Sequence, residues 1–278
     1  MKLTVLLDNN TMIDRYFLGE PGVSYFIQDE DTNILFDTGY SDAFIRNAVK
    51  MGISLDNLNY VVLSHGHIDH TGGLFYLINQ YNEALYENKK VHKPKLVAHP
   101  TTFCSKTYEG IDIGSMVSEE KLSRLFNLNL SKEPVWLNNK LVFLGEIERL
   151  NDFESKKPIG KTAQNEELID DYNLDDSALV YKSAKGLVVI TGCSHAGICN
   201  IIEYAKKVCG VDKVADVIGG FHLLNPSDEL LTKTIEHISE NHIKVIHAAH
   251  CTDLKSKIQL SKVTAIEEVG VGFVLEYK

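Results

Sequence analysis

With 278 residues, 44% of them hydrophobic and 24% charged, the chain has the composition of a globular protein and the length for one large α/β domain or two small ones. Its formal net charge of -10, with basic residues only in scattered pairs such as Lys89/Lys90, Lys156/Lys157 and Lys206/Lys207, excludes an extended nucleic-acid-binding face but suits small substrates if a metal supplies local positive charge. Five cysteines without C-x-x-C spacing exclude a disulfide framework, no run approaches the roughly 20 apolar residues of a membrane span, and M-K-L-T-V-L-L is too short for a signal peptide, so a cytoplasmic protein is expected.

In chain order, residues 3–7, 23–27 and 33–36 read as strands, with a polar hairpin turn at Asp29 to Asn33. Ser41 is the expected N-cap of a helix carrying Phe44, Ile45, Ala48 and Val49 and stopping near Gly52. The apolar run Tyr60, Val61, Val62, Leu63 has the character of a buried strand. Four ligand-type side chains follow it within six residues: His65, His67, Asp69 and His70. Imidazole nitrogens and a carboxylate are what borderline divalent metals bind, and a tight turn at a strand end lets alternate side chains converge. Gly72 and Gly73 then lead into a helix marked by Leu74, Leu77, Ile78 and Tyr81.

Lys95 to Ala98 is another short strand. From Thr101 to Val117 the period dissolves, as in a functional loop or an irregular connection. Ser118 is placed to cap a helix with Leu122, Leu125 and Phe126, and 135–137 with 141–144 forms a hairpin turning at Asn138 and Asn139. Residues 145–176 are polar and acid-rich, a crossing between halves of roughly 1–145 and 176–278 within a single domain spanning 1–278.

The second half repeats the strand, strand, helix grammar: strands at 178–181 and 187–190, a helix at 200–208, a strand at 214–218, a helix at 227–238, a strand at 244–248, a helix at 258–268 and a closing strand at 271–275. Two halves of this kind fit an α/β, four-layer αββα sandwich of two mixed sheets with outer helices. His195, in V-V-I-T-G-C-S-H-A-G, sits between a strand end and a helix start, in the same strand, tight loop, helix order as the first motif, and is the best further ligand candidate. In K-V-I-H-A-A-H the period of two puts Ile246, Ala248 and His250 on one face and His247 on the other. His222, after V-I-G-G-F, is a candidate ligand, proton donor or oxyanion contact. His247 reads as a structural histidine, and His92, His99, His237 and His242 sit beside lysines or on helix surfaces or lack a partner motif, with His99 the exception to watch because it also ends a strand.

H-x-H-x-D-H after an apolar strand, with L-F-D-T-G (Leu35 to Gly39), V-L-S-H-G-H and T-G-C-S-H, resembles the metallo-β-lactamase-fold superfamily. Within it, the chain resembles the metal-dependent hydrolases labelled as 7,8-dihydropterin-6-methyl-4-(β-D-ribofuranosyl)-aminobenzene-5'-phosphate synthase-like. The resemblance implies a first metal position at His65, His67 and His195 and a second at Asp69, His70 and His250. Many members carry a bridging aspartate where this chain has Cys193, so Cys193 or Asp176 is the candidate bridging ligand. Glu148, where related chains tend to carry proline, reads as wall.

Two divalent ions, zinc first among Zn, Mn, Fe and Mg, would activate water for attack on a small, anionic ester, lactone or phosphoester. Asp69 would orient that water and take its proton, with His222 serving the leaving group. The loop Gly192 to Gly197 opens a helix and could hold a substrate phosphate on its N–H groups, and Phe103, Tyr108 and Phe221 could stack on a ring. Two alternatives stand beside hydrolysis: a transferase or synthase joining a dihydropterin to an aminobenzene ribotide, and an iron redox enzyme. Self-association as a homodimer stays open.

Overall fold

The computed structural model describes residues 1–164 and 167–278. The first half runs β1 (Lys2–Leu7), β2 (Ser24–Asp29), β3 (Thr32–Phe36), α1 (Ala43–Met51), β4 (Tyr60–Val62), α2 (Ile68–Thr71), α3 (Leu74–Tyr86), β5 (Lys95–Ala98), β6 (Lys106–Tyr108), β7 (Ile111–Asp112), α4 (Glu119–Leu125), β8 (Asn127–Leu130), β9 (Val135–Trp136) and β10 (Leu141–Phe143). The rest runs β11 (Lys161–Gln164), β12 (Glu167–Asp170), β13 (Ala178–Ser183), β14 (Gly186–Thr191), α5 (Ile198–Cys209), β15 (Val214–Gly220), α6 (Asp228–Glu240), β16 (Val245–Ala249), α7 (Leu254–Leu260), β17 (Ala265–Ile266) and β18 (Val274–Glu276).

Two seven-stranded sheets form, in the orders β18-β1-β2-β3-β4-β5-β8 and β17-β16-β15-β14-β13-β10-β9. In each, three antiparallel ladders give way to three parallel ones. The parallel steps need crossovers, and helices supply them: α1, α3 and α4 in the first sheet, α5, α6 and α7 in the second. The repetition anticipated between the halves is therefore a repetition of ladder pattern.

The layers follow from which side chains meet. Leu3, Val5, Tyr25, Ile34, Phe36 and Val62 pack against Leu141, Phe143, Leu179, Val188, Ile190 and Ile218, so one core lies between the sheets. On one outer side Leu35, Val61 and Leu96 meet Phe44, Leu74, Leu77 and Leu122 of the helices. On the other, Val180, Val189 and Val217 meet Ile201, Ile202, Leu231 and Ile238. Alternating β side chains thus serve two cores at once, and the four-layer αββα sandwich results. Among the described residues no helix is long and apolar enough to cross a membrane.

Several local expectations change. The irregular stretch 101–117 and the crossing 145–176 contain strands that pair into a third, four-stranded sheet, β12-β11-β6-β7. The strand β8 was not foreseen, nor was the short helix α2 inside the histidine motif. The helix expected over 258–268 is instead α7 at Leu254–Leu260, capped by Asp253 accepting from the Ser256 N–H, and 265–266 pairs as a strand with β16. Ser41 is not the cap of α1. Asp42 takes that position, while Ser41 Oγ donates to Glu20 and accepts from the Ala43 N–H.

The ends of the parallel strands position the site. Asp37 follows β3, His65 follows β4, Cys193 and His195 follow β14, His222 follows β15 and His250 follows β16. Carboxyl ends of parallel strands are where open α/β sheets gather ligands. The turn into α3 needs glycine for space, since a Cβ on Gly73 would lie 2.1 Å from the Thr38 carbonyl oxygen.

Candidate metal centre

Two groups of ligand-type atoms lie at this edge. His65, His67 and His195 form one, and Asp69, His70, Cys193 and His250 the other; within each group the potential ligand atoms lie within 4.8 Å of one another. The groups adjoin, with the His65 and His70 rings 4.2 Å apart between centroids. All six ligands expected from the sequence are therefore brought together. Cys193 joins the second group only, and Asp176 joins neither.

The groups differ electrostatically. Burial and the neighbouring imidazoles hold His65 and His195 well below the usual histidine range, and burial lowers His67 to about 4, so the first group is neutral at pH 7. In the second, burial works against the charge of His70, but Asp69 and Asp37 outweigh it and lift it to about 9. Burial also opposes ionisation of Asp69, yet His70 and His250 hold its carboxyl well below its ordinary range. Burial pushes the Cys193 thiol up. An ion bound at the second group would therefore have to displace protons.

Hydrogen bonds set which nitrogen each imidazole presents. Asp37 Oδ2 is 2.7 Å from His70 Nδ1 and accepts from Ser64 Oγ at 2.6 Å, while Oδ1 accepts from the Ser64 N–H at 2.7 Å. Because the Ser64 hydroxyl proton goes to Asp37, its Oγ accepts from His65 Nδ1 at 2.9 Å. His250 Nδ1 is 2.8 Å from Asn9 Oδ1. In the neutral form of all three rings these contacts place the proton on Nδ1 and leave Nε2 free to bind an ion.

The donor atoms fit metal ions. His65 Nε2 and His195 Nε2 face each other at 3.2 Å, and His195 Nδ1 has no partner. Nitrogens bound at about 2.0–2.1 Å to a tetrahedral zinc lie roughly 3.3 Å apart. Cys193 Sγ is 3.2 Å from both His70 Nε2 and His250 Nε2, and Asp69 Oδ2 is 3.6 Å and 3.4 Å from the same nitrogens.

Asp176 has another task. Its Oδ2 accepts from the Ala196 N–H at 2.8 Å, and burial pushes its carboxyl up to about 7. His222 stacks edge-on against His195, with centroids 4.4 Å apart, and lies outside both groups. The expected phosphate site on the loop before α5 is already filled by protein. Glu154, buried, accepts from the Cys199 and Asn200 N–H groups at 2.9 Å each, and Gly197, at φ 98°, leaves it room. Phe103 packs into the outer core and Tyr108 is exposed in the third sheet, so of the three candidate stacking rings only Phe221 lines the cavity at His195. Glu148 pairs with Lys207 on the surface.

The remaining histidines sit apart. His247 bonds Asp216, His99 bonds Glu146, His237 bonds Glu203, and His92 and His242 are outside both groups. Sequence reasoning missed the residues that hold the ligands: Asp37, Ser64, Asn9, Asn173 and Asp175. Asp37 and Ser64 left a signal, as the acid of L-F-D-T-G and the serine of V-L-S-H-G-H.

Residues 18–206 match the family model described as the metallo-beta-lactamase superfamily. The 7,8-dihydropterin-6-methyl-4-(beta-D-ribofuranosyl)-aminobenzene-5'-phosphate synthase of Methanocaldococcus jannaschii is 30% identical over 270 residues, covering 92% of this chain and 89% of its own. A solved structure described as a metal-dependent hydrolase of the beta-lactamase superfamily aligns with a TM-score of 0.84 and 28% identity, over 100% of this chain and 99% of its own. Zn(2+)-bound PqqB from Methylobacterium extorquens aligns over 99% and 100% of the two chains with a TM-score of 0.57 and 11% identity, a likeness of fold alone.

Proposed function

Because the chain belongs to the metallo-beta-lactamase superfamily, we propose that it is a metal-dependent hydrolase of a small, anionic ester, lactone or phosphoester. His65, His67 and His195 would hold one divalent ion, and Asp69, His70, Cys193 and His250 a second. The observation that carries this reading is the side-by-side placement of two candidate ligand groups where strand ends of both sheets meet. Imidazole and thiolate donors favour zinc, because magnesium and manganese prefer oxygen. When bound, such a pair supplies Lewis acidity and lowers the pKa of coordinated water toward neutrality.

The chain's own groups do the rest. Asp69 would orient the attacking water and take up its proton; His70 and His250 keep its carboxyl ionised, which supports the orienting role. Burial opposes the charge of His222, but Cys251 outweighs it and raises His222 above the ordinary imidazole range, which suits a proton donor to the leaving group. A cavity of about 540 Å³ opens on His195 and His222, lined by Phe221, Leu223 and Leu230 and by both Lys156 and Lys157 and the acids Asp152, Glu154 and Glu229. Its mixed apolar and polar lining suits a small organic substrate, and the anionic character of that substrate rests on the family resemblance rather than on the cavity's charge.

One observation favours a second reading. The 30% identity over 92% of this chain is to a protein named as a synthase, in which case the same groups would orient a dihydropterin and an aminobenzene ribotide. An assay of the zinc-loaded protein with and without chelator separates the two. Hydrolysis predicts chelator-sensitive turnover of single phosphoesters or lactones, with kcat lowered about 10²–10⁴-fold in His222→Ala. The synthase reading predicts turnover only when both organic substrates are present. No metal-dependent turnover in either format contradicts both.

A further inference from the structure

We infer that the segment Asp171–Asp176 is a dedicated holder of the tri-histidine group, with Asn173 and Asp175 as positioning residues for the metal ion held there and not for its neighbour. The inference rests on the two-ion reading above.

Three side chains of this short segment reach the two loops that carry the histidines. The Asn173 amide lies 3.1 Å from His67 Nε2. Asp175 Oδ2 accepts at 2.7 Å from the N–H of Gly66, the residue between His65 and His67. Asp176 accepts from the N–H of Ala196, the residue after His195. None of the three is in either ligand group. The second group is held from elsewhere, by Asn9 on His250 and Asp37 on His70.

The Asn173 contact also assigns the His67 nitrogens. With Nδ2 toward the ring, Asn173 Oδ1 is a buried oxygen without a partner. Turning the amide over lets Oδ1 accept from His67 Nε2–H at the same contact, and amide orientation is properly chosen by such networks. His67 then presents Nδ1 to the ion, whereas His65 presents Nε2. That alternation brings two rings only two residues apart onto one point.

The segment is itself anchored. The buried Lys106 ammonium bonds Asp171 Oδ2 at 2.7 Å and Asp175 Oδ1 at 3.0 Å, and Arg149 donates to the Tyr172 and Asn173 carbonyl oxygens. The third sheet, which supplies Lys106 from β6, thereby braces the first ligand group through one lysine and two aspartates.

Cobalt titration tests this, because only the second group contains a thiolate and so only its ion gives a sulfur-to-cobalt charge-transfer band. Asn173 sits at φ 48°, so Asn173→Gly removes the amide without backbone strain, and Asn173→Asp restores an acceptor. The wild type should fill both groups. Asn173→Gly should bind about 10–100-fold more weakly at the band-silent site, keep the band and its midpoint unchanged, and Asn173→Asp should recover the lost affinity. Equal affinities in Asn173→Gly and wild type, or equal weakening of both sites in Asn173→Gly, would overturn the assignment. A wild type that binds no cobalt at all would overturn the two-ion reading with it.

Discussion

Asp37 shows how much one carboxylate can organise. It is fully buried and serves three donors: the Ser64 amide, the Ser64 hydroxyl and His70 Nδ1. Through Ser64 it also fixes the tautomer of His65, so both ligand groups depend on it. Asp37→Asn keeps the left-handed backbone that Asp37 adopts at φ 56° but offers one acceptor oxygen in place of two. Metal affinity should fall about 10–100-fold at both groups, read by competition against a chromophoric chelator. Unchanged affinity at either group would show that Asp37 is not the shared support. The sequence displays Asp37 in L-F-D-T-G yet hides its task, because its partners stand 27 and 33 residues away. The candidate ligands were legible where four crowd into His65 to His70 and where His195 and His250 stand at strand ends, while supports such as Asn9, Asn173 and Asp175 lie in polar stretches without a motif. Cys193 was legible as a ligand type, but only the folded chain assigns it to the second group.

At the scale of elements, long periodic segments were readable and short ones were not. Apart from β8 and β17, the strands of the main sheets stand near where period and caps place them, as do helices α3, α5 and α6. Ser227 accepting from the Leu230 N–H is such a cap. The third sheet escaped notice because β6 and β7 have three and two residues, too few for a period of two to show. The helix expected at 258–268 failed because a 3.6-residue pattern continued past Ser261, where tertiary pairing with β16 took over.

Lys106, inside that third sheet, makes the sheet testable. Replacing it with methionine leaves Asp171 and Asp175 buried without their counter-ion, a loss of about 3–5 kcal/mol by denaturant unfolding. Burial opposes the lysine's charge, but Asp175 and Asp171 outweigh it and raise it above its ordinary 10.5. A raised lysine contributes stability that is complete below about 10.5 and lost as pH climbs through the higher folded value. The gap between wild type and Lys106→Met should thus be constant from neutral to mildly alkaline pH and narrow only beyond about 10.5. A gap that closes below pH 9, or no gap at all, would contradict the ion-pair role.

Over the whole molecule, the two halves share the inner core: Phe36 and Val62 of one sheet pack with Leu179 and Ile190 of the other. Neither half could keep its inner face dry alone, so the metal-free chain should unfold in a single cooperative transition, with fluorescence and far-UV circular dichroism coincident. Two separated transitions would mean that the halves are independent domains. The αββα layering was legible because alternation and strand, helix order survive in sequence, whereas the pairing of inner faces is a long-range outcome that composition cannot display. The same shared interface places the ends of parallel strands from both sheets at one edge, where the two ligand groups meet.

The most direct measurement is elemental analysis of the folded protein after reconstitution with zinc and removal of loosely bound ions. Two zinc ions per chain are predicted, falling to one in His67→Ala without loss of fold. A folded wild-type chain that retains no divalent ion, or a His67→Ala variant that retains both, would contradict the metal centre described above.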